Sequence, residues 1–270
     1  MNDFITSAIL GVVEGVTEFL PISSTGHLIL VNQWIGFKEP FGKMFDIVIQ
    51  LGAILAVVVV FWKRLWPFGN DKSAETKSKM WNLWLKILIA IVPALVLGFL
   101  FKDFIEAKLF TPMVVACALA VWGLVIIIIE KLHKAGSDKI ASVDKIGYGY
   151  AFFIGLIQCL AMVPGTSRSA ATIMGAMLLG CSRIAAAEFS FFLAIPTMVA
   201  ASGYSLLKSG TSMNAHDILV LALGFAVAFA VALAVIKFFM KFISNHKFTG
   251  FGIYRIVLGA AITAYFLFLS

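Results

Sequence analysis

The sequence predicts an all-α polytopic membrane protein: six transmembrane helices plus two re-entrant helix hairpins, in an inverted-topology repeat. Three observations carry this expectation. Of the 270 residues, 61% are hydrophobic and only 13% charged, whereas soluble domains carry about 45–50% and about 25%. Six apolar runs are long enough to cross a bilayer, which takes roughly 20 residues. Two further apolar regions are broken in the middle by proline followed by serine or threonine. The composition excludes a soluble enzyme, because a soluble surface needs charges that this chain lacks, and it excludes disorder as well.

The first element is a broken region at 4–36, interrupted at Leu20-Pro21-Ile22-Ser23-Ser24-Thr25-Gly26. Its halves could form one kinked span. At about 10–17 residues each, they fit a re-entrant segment better. Proline followed by Ser or Thr stops one helix and caps the next. Spans are then expected near 44–65, 83–102 and 111–132. The second broken region, 147–181, is interrupted at Val163-Pro164-Gly165-Thr166-Ser167-Arg168-Ser169, and spans follow near 186–207, 217–240 and 250–269. The start does not read as a signal peptide: Met1 to Ile9 has no basic residue, and Glu14 and Glu18 interrupt the apolar run.

The halves match in order. Pro21 with Ser23-Ser24 corresponds to Pro164 with Thr166-Ser167, 143 positions later, and Glu14 falls near Gln158 with one gap. A hairpin returns to its own side and three spans end on the other, so a second copy enters inverted. The expected units are 1–135 and 136–270, within one integral membrane domain. Lys and Arg divide 15 against 5 between the two loop sides, with Arg168 left inside the membrane. The rich side, which includes Lys134, Arg183 and Arg255, is expected to be cytoplasmic; Lys102 and Lys208 fall on the poor side. Both termini and the first hairpin's mouth then face outward. This bias accounts for the net charge of +7 without a nucleic-acid partner. The polar loop 69–79 is expected to be mobile. Trp62, Trp66, Trp81 and Trp84 suit an interfacial belt. Cys117, Cys159 and Cys181 are too far apart for a zinc or disulfide framework and read as core packing.

Chemistry concentrates at the two breaks. Glu14 and Glu18, spaced i, i+4, stack two carboxylates on one helix face, where they repel unless a cation bridges them or one takes a proton. Alternatively they line a water-filled mouth. Ser23, Ser24, Thr25 and His27 follow at the turn. One serine there caps a helix beginning near Gly26, but capping does not explain the second serine, the imidazole and both glutamates. The second turn holds Thr166, Ser167, Arg168, Ser169 and, one helical turn on, Thr172. The Arg168 guanidinium is a rigid fork suited to phosphate; it could instead only neutralise Glu14 or Glu18. Asp46 and Glu188 read as acids at span starts, complementing the helix dipole. Two turns entering from opposite faces would bring two helix N-termini together as an anion site. A hydroxyl nucleophile, a base, an imidazole and a phosphate clamp inside lipid point to phosphoryl transfer on a lipid-borne phosphate.

The elements Glu14-Gly-Val-Thr-Glu18-Phe-Leu-Pro-Ile-Ser23-Ser24-Thr25-Gly26-His27 and Pro164-Gly165-Thr166-Ser167-Arg168-Ser169-Ala-Ala-Thr172 resemble those of the bacterial undecaprenyl-pyrophosphate phosphatase family, the bacitracin-resistance type. The resemblance covers essentially the whole chain. It departs at Ala170, where relatives often have glycine. It implies hydrolysis of undecaprenyl diphosphate to undecaprenyl phosphate and inorganic phosphate, recycling the lipid carrier for cell-wall synthesis. It also implies dependence on a divalent cation, Mg²⁺ or Ca²⁺, and a site opening to the periplasmic face of the bacterial inner membrane. Within that frame Ser24 is the expected nucleophile, activated by Glu18 or His27, and Arg168 clamps the diphosphate. Glu14 and Glu18 are the expected metal ligands, and Ser23, Thr25, Ser167, Ser169 and Thr172 the substrate-binding donors. Direct attack by water, with Ser24 only binding phosphate, is the alternative mechanism, and a homodimer is left open. The rival function is a transporter or lipid-carrier flippase, which the repeat alone would suggest. The hydrolytic set of Glu, Ser and His separates the two.

Overall fold

The computed structural model describes residues 2–69, 72–133, 138–209 and 213–268. Lys134, Asn70 and Asp71 lie outside the described residues, as do the side chains of Lys102 and Lys208, so the charge count and the 69–79 loop are followed only in part. The regular structure of the described chain is helical, with one isolated parallel bridge, Ile140 with Cys181. In order, the helices are α1 Asp3–Thr17, α2 Ser24–Ile35, α3 Phe41–Val60, α4 Trp62–Leu65, α5 Ala74–Leu109, α6 Pro112–Leu132, α7 Tyr148–Gln158, α8 Arg168–Leu178, α9 Arg183–Ser209, α10 Ala215–Asn245 and α11 Thr249–Phe268. Short 3₁₀ turns occupy Val143–Lys145 and Cys159–Met162.

Six helices, α3, α5, α6, α9, α10 and α11, are long and apolar enough to cross a membrane. Their outer faces carry large exposed apolar side chains such as Phe99, Leu100, Val121, Phe238 and Val257. In water such faces would be ruinous; against acyl chains they cost nothing. The chain is a multi-pass membrane protein.

The expected spans are found, with different ends. The first stops at Val60, and Phe61 breaks the helix before the single turn of α4. Phe61 packs edge-on against Phe192, with ring centroids 5.1 Å apart. The second span begins earlier than residue 83, at Ala74, where the Ser73 side chain accepts from the Thr76 amide. Helix formers such as Glu75 and Lys79, paired at i, i+4, carry it past the apolar stretch. Hydropathy marks what lies in lipid, not where hydrogen bonding ends.

Helix contacts run between the halves. α1 packs on α10, α7 on α5, α3 on both α9 and α10, and α6 on α11. Small residues permit these approaches, the usual device where lipid offers no hydrophobic drive to pack. A Cβ on Gly155 would sit 1.9 Å from the Ala90 carbonyl oxygen, and one on Gly15 would sit 2.8 Å from that of Ala228. At the α6–α11 crossing, a Cβ on Gly123 would sit 2.6 Å from the Gly252 carbonyl oxygen, and one on Gly252 would sit 2.7 Å from that of Gly123. The main core gathers Phe19, Phe61, Phe191, Phe192, Phe239 and Phe248. Phe19 lies in the break after α1 and packs on Phe191 of α9 at 5.2 Å, which pins the first turn to the bundle.

The charged end is paired. Arg64 donates to Glu188 at 2.6 Å and to Asp144 at 3.4 Å. Glu188, expected only to complement a dipole, therefore has a cationic partner as well. Arg183 grips Glu130 through two nitrogens, and Glu130 also accepts the Phe248 amide just ahead of α11. Trp62 stacks on Trp66 at 4.6 Å, and Trp84 donates to the Leu65 carbonyl at 2.7 Å. Of the cysteines, only Cys181 is fully buried; Cys159 is half-buried and Cys117 exposed, so core packing describes Cys181 alone. Burial, and secondarily the Asp138 charge, push the Cys181 thiol up to about 12.

Candidate active site at two matched turns

The two breaks share one local structure. Ser23 and Ser167 are the described non-glycine residues with positive φ, both at 74°. Each is an N-cap whose hydroxyl accepts the amide three residues on, Gly26 at 3.3 Å and Ala170 at 3.2 Å. Each Ser carbonyl accepts the amide four residues on, from His27 and from Ala171. The first amides of a helix have no intrahelical acceptor. Those of Ser24 and Thr25 in α2, and of Arg168 and Ser169 in α8, therefore stay available at two positive helix ends. The left-handed backbone costs on the order of 1–3 kcal/mol at each serine, and the caps offset part of it.

This geometry corrects the register between the halves. Aligning prolines sets Ser24 opposite Ser167. The backbone instead matches Ser23 with Ser167, 144 positions apart, which sets Ser24 opposite Arg168 and Glu14 opposite Gln158 with no gap.

Glu18 joins the turns. Its Oε2 accepts the Ser24 hydroxyl at 2.5 Å, and its Oε1 accepts from Arg168 Nη2 at 3.2 Å. Arg168 Nη1 donates to the Ser190 carbonyl at 2.7 Å and to Ser190 Oγ at 3.2 Å. Arg168 Nε is buried with no acceptor among the described residues, so the fork keeps one donor unpaired. Glu14 is fully buried, and neither of its oxygens makes a hydrogen bond of ordinary geometry. Its field comes from the Glu18 and Asp46 carboxylates and from Arg168. Asp46, read from sequence as a dipole complement, accepts from Asn32 at 2.9 Å and belongs to this neighbourhood.

Both ring nitrogens of His27 have partners other than Ser24. Its Nδ1 lies 2.7 Å from the Ser23 carbonyl oxygen and must donate there, while Nε2 lies 2.6 Å from the Tyr254 hydroxyl. The two rings stack 3° from parallel. Of the two bases expected for Ser24, the structure brings up Glu18. The hydroxyls of the second turn face inward: Ser169 donates to the Leu20 carbonyl at 2.9 Å and pairs with Ser167 Oγ, also at 2.9 Å. Thr172 donates to Ser190 Oγ at 2.6 Å. Thr25 is half-buried at the start of α2.

The donors also bear on a metal. Among the described residues no three His, Cys, Asp or Glu side chains gather as a ready cation cage. Two carboxylates, one of them buried and unpartnered, suit Mg²⁺, which takes one or two carboxylates and fills its remaining positions with substrate phosphate and water. The residues fit such an ion.

Residues 7–261 match the family model described as bacitracin resistance protein BacA. The chain belongs to that family. Among its relatives, an undecaprenyl-diphosphatase of Enterococcus faecalis is 49% identical over 254 residues, covering 93% of this chain and 92% of its own length. Undecaprenyl-diphosphatase 1 of Clostridioides difficile is 49% identical over 265 residues, covering 97% and 96%. An undecaprenyl-diphosphatase of Lachnoclostridium phytofermentans is 50% identical over 260 residues, covering 96% and 95%. Both turns and all eleven described helices fall largely or wholly inside the BacA match.

Three residues of the site escaped the sequence reading. Ser190 lies mid-span in α9 and looks like any small packing residue. Tyr254 reads as an interfacial aromatic. Arg255 was counted with the cytoplasmic loops, yet it is fully buried and bonded to both turns. A signal was present, since Arg255 falls more than a helical turn inside the span expected at 250–269.

Proposed function

We propose that the protein hydrolyses undecaprenyl diphosphate to undecaprenyl phosphate and inorganic phosphate, as the names of its relatives say of them. The observation that carries the mechanism is the 2.5 Å contact between Ser24 Oγ and Glu18 Oε2, with Arg168 on the same carboxylate. Ser24 Oγ attacks the terminal phosphorus as Glu18 takes its proton, and the P–O–P bond breaks to release undecaprenyl phosphate. Glu18 passes that proton to the phosphate oxygen left by P–O–P cleavage; as a carboxylate again, it takes a proton from the water that displaces Ser24 Oγ and returns it to Ser24 as inorganic phosphate is freed. Arg168 and the amides at the starts of α2 and α8 hold the phosphoryl oxygens as charge develops. Glu14, with Glu18, would hold the divalent cation, which when bound supplies charge neutralisation to the diphosphate.

Several observations support the inverted repeat, with units 1–135 and 136–270 and the helix pairs α1–α2 and α7–α8 as re-entrant hairpins. α1 packs on α10 as α7 packs on α5, and α3 meets α10 as α9 meets α5. α3 with α9 and α6 with α11 pair at the axis. The helices of each pair, at 15 and 12 residues and at 11 and 11, are too short to span alone. The excess of Lys and Arg on one side supports an inner-membrane orientation with the site open to the periplasm.

The test is phosphate release from undecaprenyl diphosphate by purified protein in detergent, where transport has no meaning. Release is expected, with losses of at least about tenfold in Ser24→Ala and Arg168→Ala, or about 1.4 kcal/mol of barrier. Acid quench of wild type should trap phosphoserine at Ser24. Full turnover by folded Ser24→Ala would transfer the attack to water. Transport of the intact lipid without hydrolysis would favour the flippase reading.

A further inference from the structure

Arg255 is the largest fully buried side chain among the described residues. Its Nη1 donates to the Pro21 carbonyl of the first turn at 3.1 Å. Its Nη2 donates to the Gly165 and Thr166 carbonyls of the second turn at 2.6 and 2.9 Å, and Nε reaches the Leu119 carbonyl of α6 at 3.4 Å. All four acceptors are backbone oxygens, and among the described residues no carboxylate pairs with this cation. A guanidinium presents five donors in one rigid plane, whereas an ammonium is a point that cannot fork toward two turns.

The place of these acceptors matters. Pro21 lies midway between Glu18 and Ser24, and Thr166 lies two residues before Arg168. Arg255 therefore holds, from behind, the peptide groups on which the reacting side chains are mounted. The α6–α11 glycine crossing brings it there: a Cβ on Gly123 would sit 3.2 Å from Arg255 Cβ. Gly165, at φ 92°, closes the second turn against the Val115 carbonyl, which a Cβ would approach to 2.5 Å.

We infer that Arg255 is a positioning residue that locks the two turns in register, so that Ser24, Glu18 and Arg168 face one phosphoryl group. The inference rests on the proposed hydrolysis for its kinetic arm only. Misplacement by about 1 Å can cost roughly 10²-fold in rate. Arg255→Lys keeps the charge and loses the fork; its kcat should fall by roughly 10²-fold, with KM for undecaprenyl diphosphate changing by less than about threefold. Millimolar guanidinium should restore turnover to Arg255→Ala at least about tenfold, and equal ammonium should not.

An arm independent of turnover places nitroxides at Trp34→Cys and Leu160→Cys, on the two hairpins, with Cys117, Cys159 and Cys181 replaced by serine. The distance distribution should be narrow with Arg255 present and broad in Arg255→Lys. Hydrolysis failing in wild type would remove the proposed function while this arm still judges Arg255. A folded Arg255→Lys protein with kcat within about threefold of wild type, or with an unbroadened distribution, overturns the inference. Where Arg255→Ala does not fold, Arg255→Lys alone decides.

Discussion

Replacing Glu18 by glutamine keeps the shape of the side chain and removes its charge, and two bonded partners register the change. Ser24 Oγ, 2.5 Å away, loses the carboxylate that accepts its hydrogen bond and that the proposed mechanism uses as its base, and Arg168, 3.2 Å away, loses its counter-charge. General-base assistance is worth about 10²–10⁴-fold, or about 2.7–5.5 kcal/mol of barrier. Truncating one member of a buried pair outright costs about 3–5 kcal/mol of stability. The pair is buried, with side chains 12% and 8% exposed. Glutamine still offers Arg168 one carbonyl oxygen, and Ser190 still accepts from Nη1, so the folding cost should be nearer about 1–3 kcal/mol. Glu18→Gln should therefore fold, melt a few degrees lower, and lose about 10²–10⁴-fold in kcat. Phosphate release in detergent micelles and thermal unfolding of the same preparation measure both effects. If Glu18 acts through Ser24, adding Ser24→Ala should cost little more, because residues that act as a unit are not additive. A folded Glu18→Gln enzyme within tenfold of wild type would refute the base role, and additive losses in the double variant would refute the Ser24–Glu18 unit.

Chelation of divalent cations should suppress phosphate release, and added Mg²⁺ or Ca²⁺ should restore it; Glu14→Gln should raise the cation concentration needed for half-maximal rate. Ser167→Ala should lower stability by about 1 kcal/mol through loss of the cap, whereas Ser167→Gly should cost less because glycine tolerates the positive φ; thermal melts compare the two. Gly155→Ala should destabilise by about 1–3 kcal/mol, since the added methyl meets the Ala90 carbonyl and pushes α7 from α5. Near pH 8 a permeant maleimide should modify Cys117 and leave Cys181 intact, as mass spectrometry of the folded protein would show, because the Cys181 thiol is both buried and pushed up to about 12.

The helical class and the six spans were legible because a bilayer imposes its thickness on hydropathy, and α6 and α11 follow the apolar runs closely. Helix ends were not, because Glu75 and Lys79 in α5 extend hydrogen bonding into a region that composition calls polar. Glu14, Glu18, Ser24 and Arg168 stood out because polar groups amid apolar residues are expensive in lipid. Tyr254 and Ser190 stayed hidden because an aromatic or small side chain in a span carries no such penalty, and only the distances to His27 and Arg168 give them a part. Arg255 was masked for a different reason. Counting charges by side treats an arginine near a span end as a loop residue, although long side chains reach inward as well as outward.

The one-residue correction of register explains why the two turns carry different chemistry. The first helical position of α2 is Ser24 and that of α8 is Arg168; the positions matching Glu14 and Glu18 are Gln158 and Met162. Two identical turns would oppose like with like at a buried meeting point. Two arginines would repel and leave no nucleophile, and two serines with four carboxylates would repel the diphosphate. Placing the acids and hydroxyl on one turn and the cation on the other lets Glu18 pair with Arg168 before substrate arrives. Both helix ends remain positive toward phosphate. The left-handed serines at 74° are common to both turns because they build the helix ends, and the side chains just beyond them differ as the proposed hydrolysis requires, an attacking group on one side of the phosphoryl group and a clamp on the other.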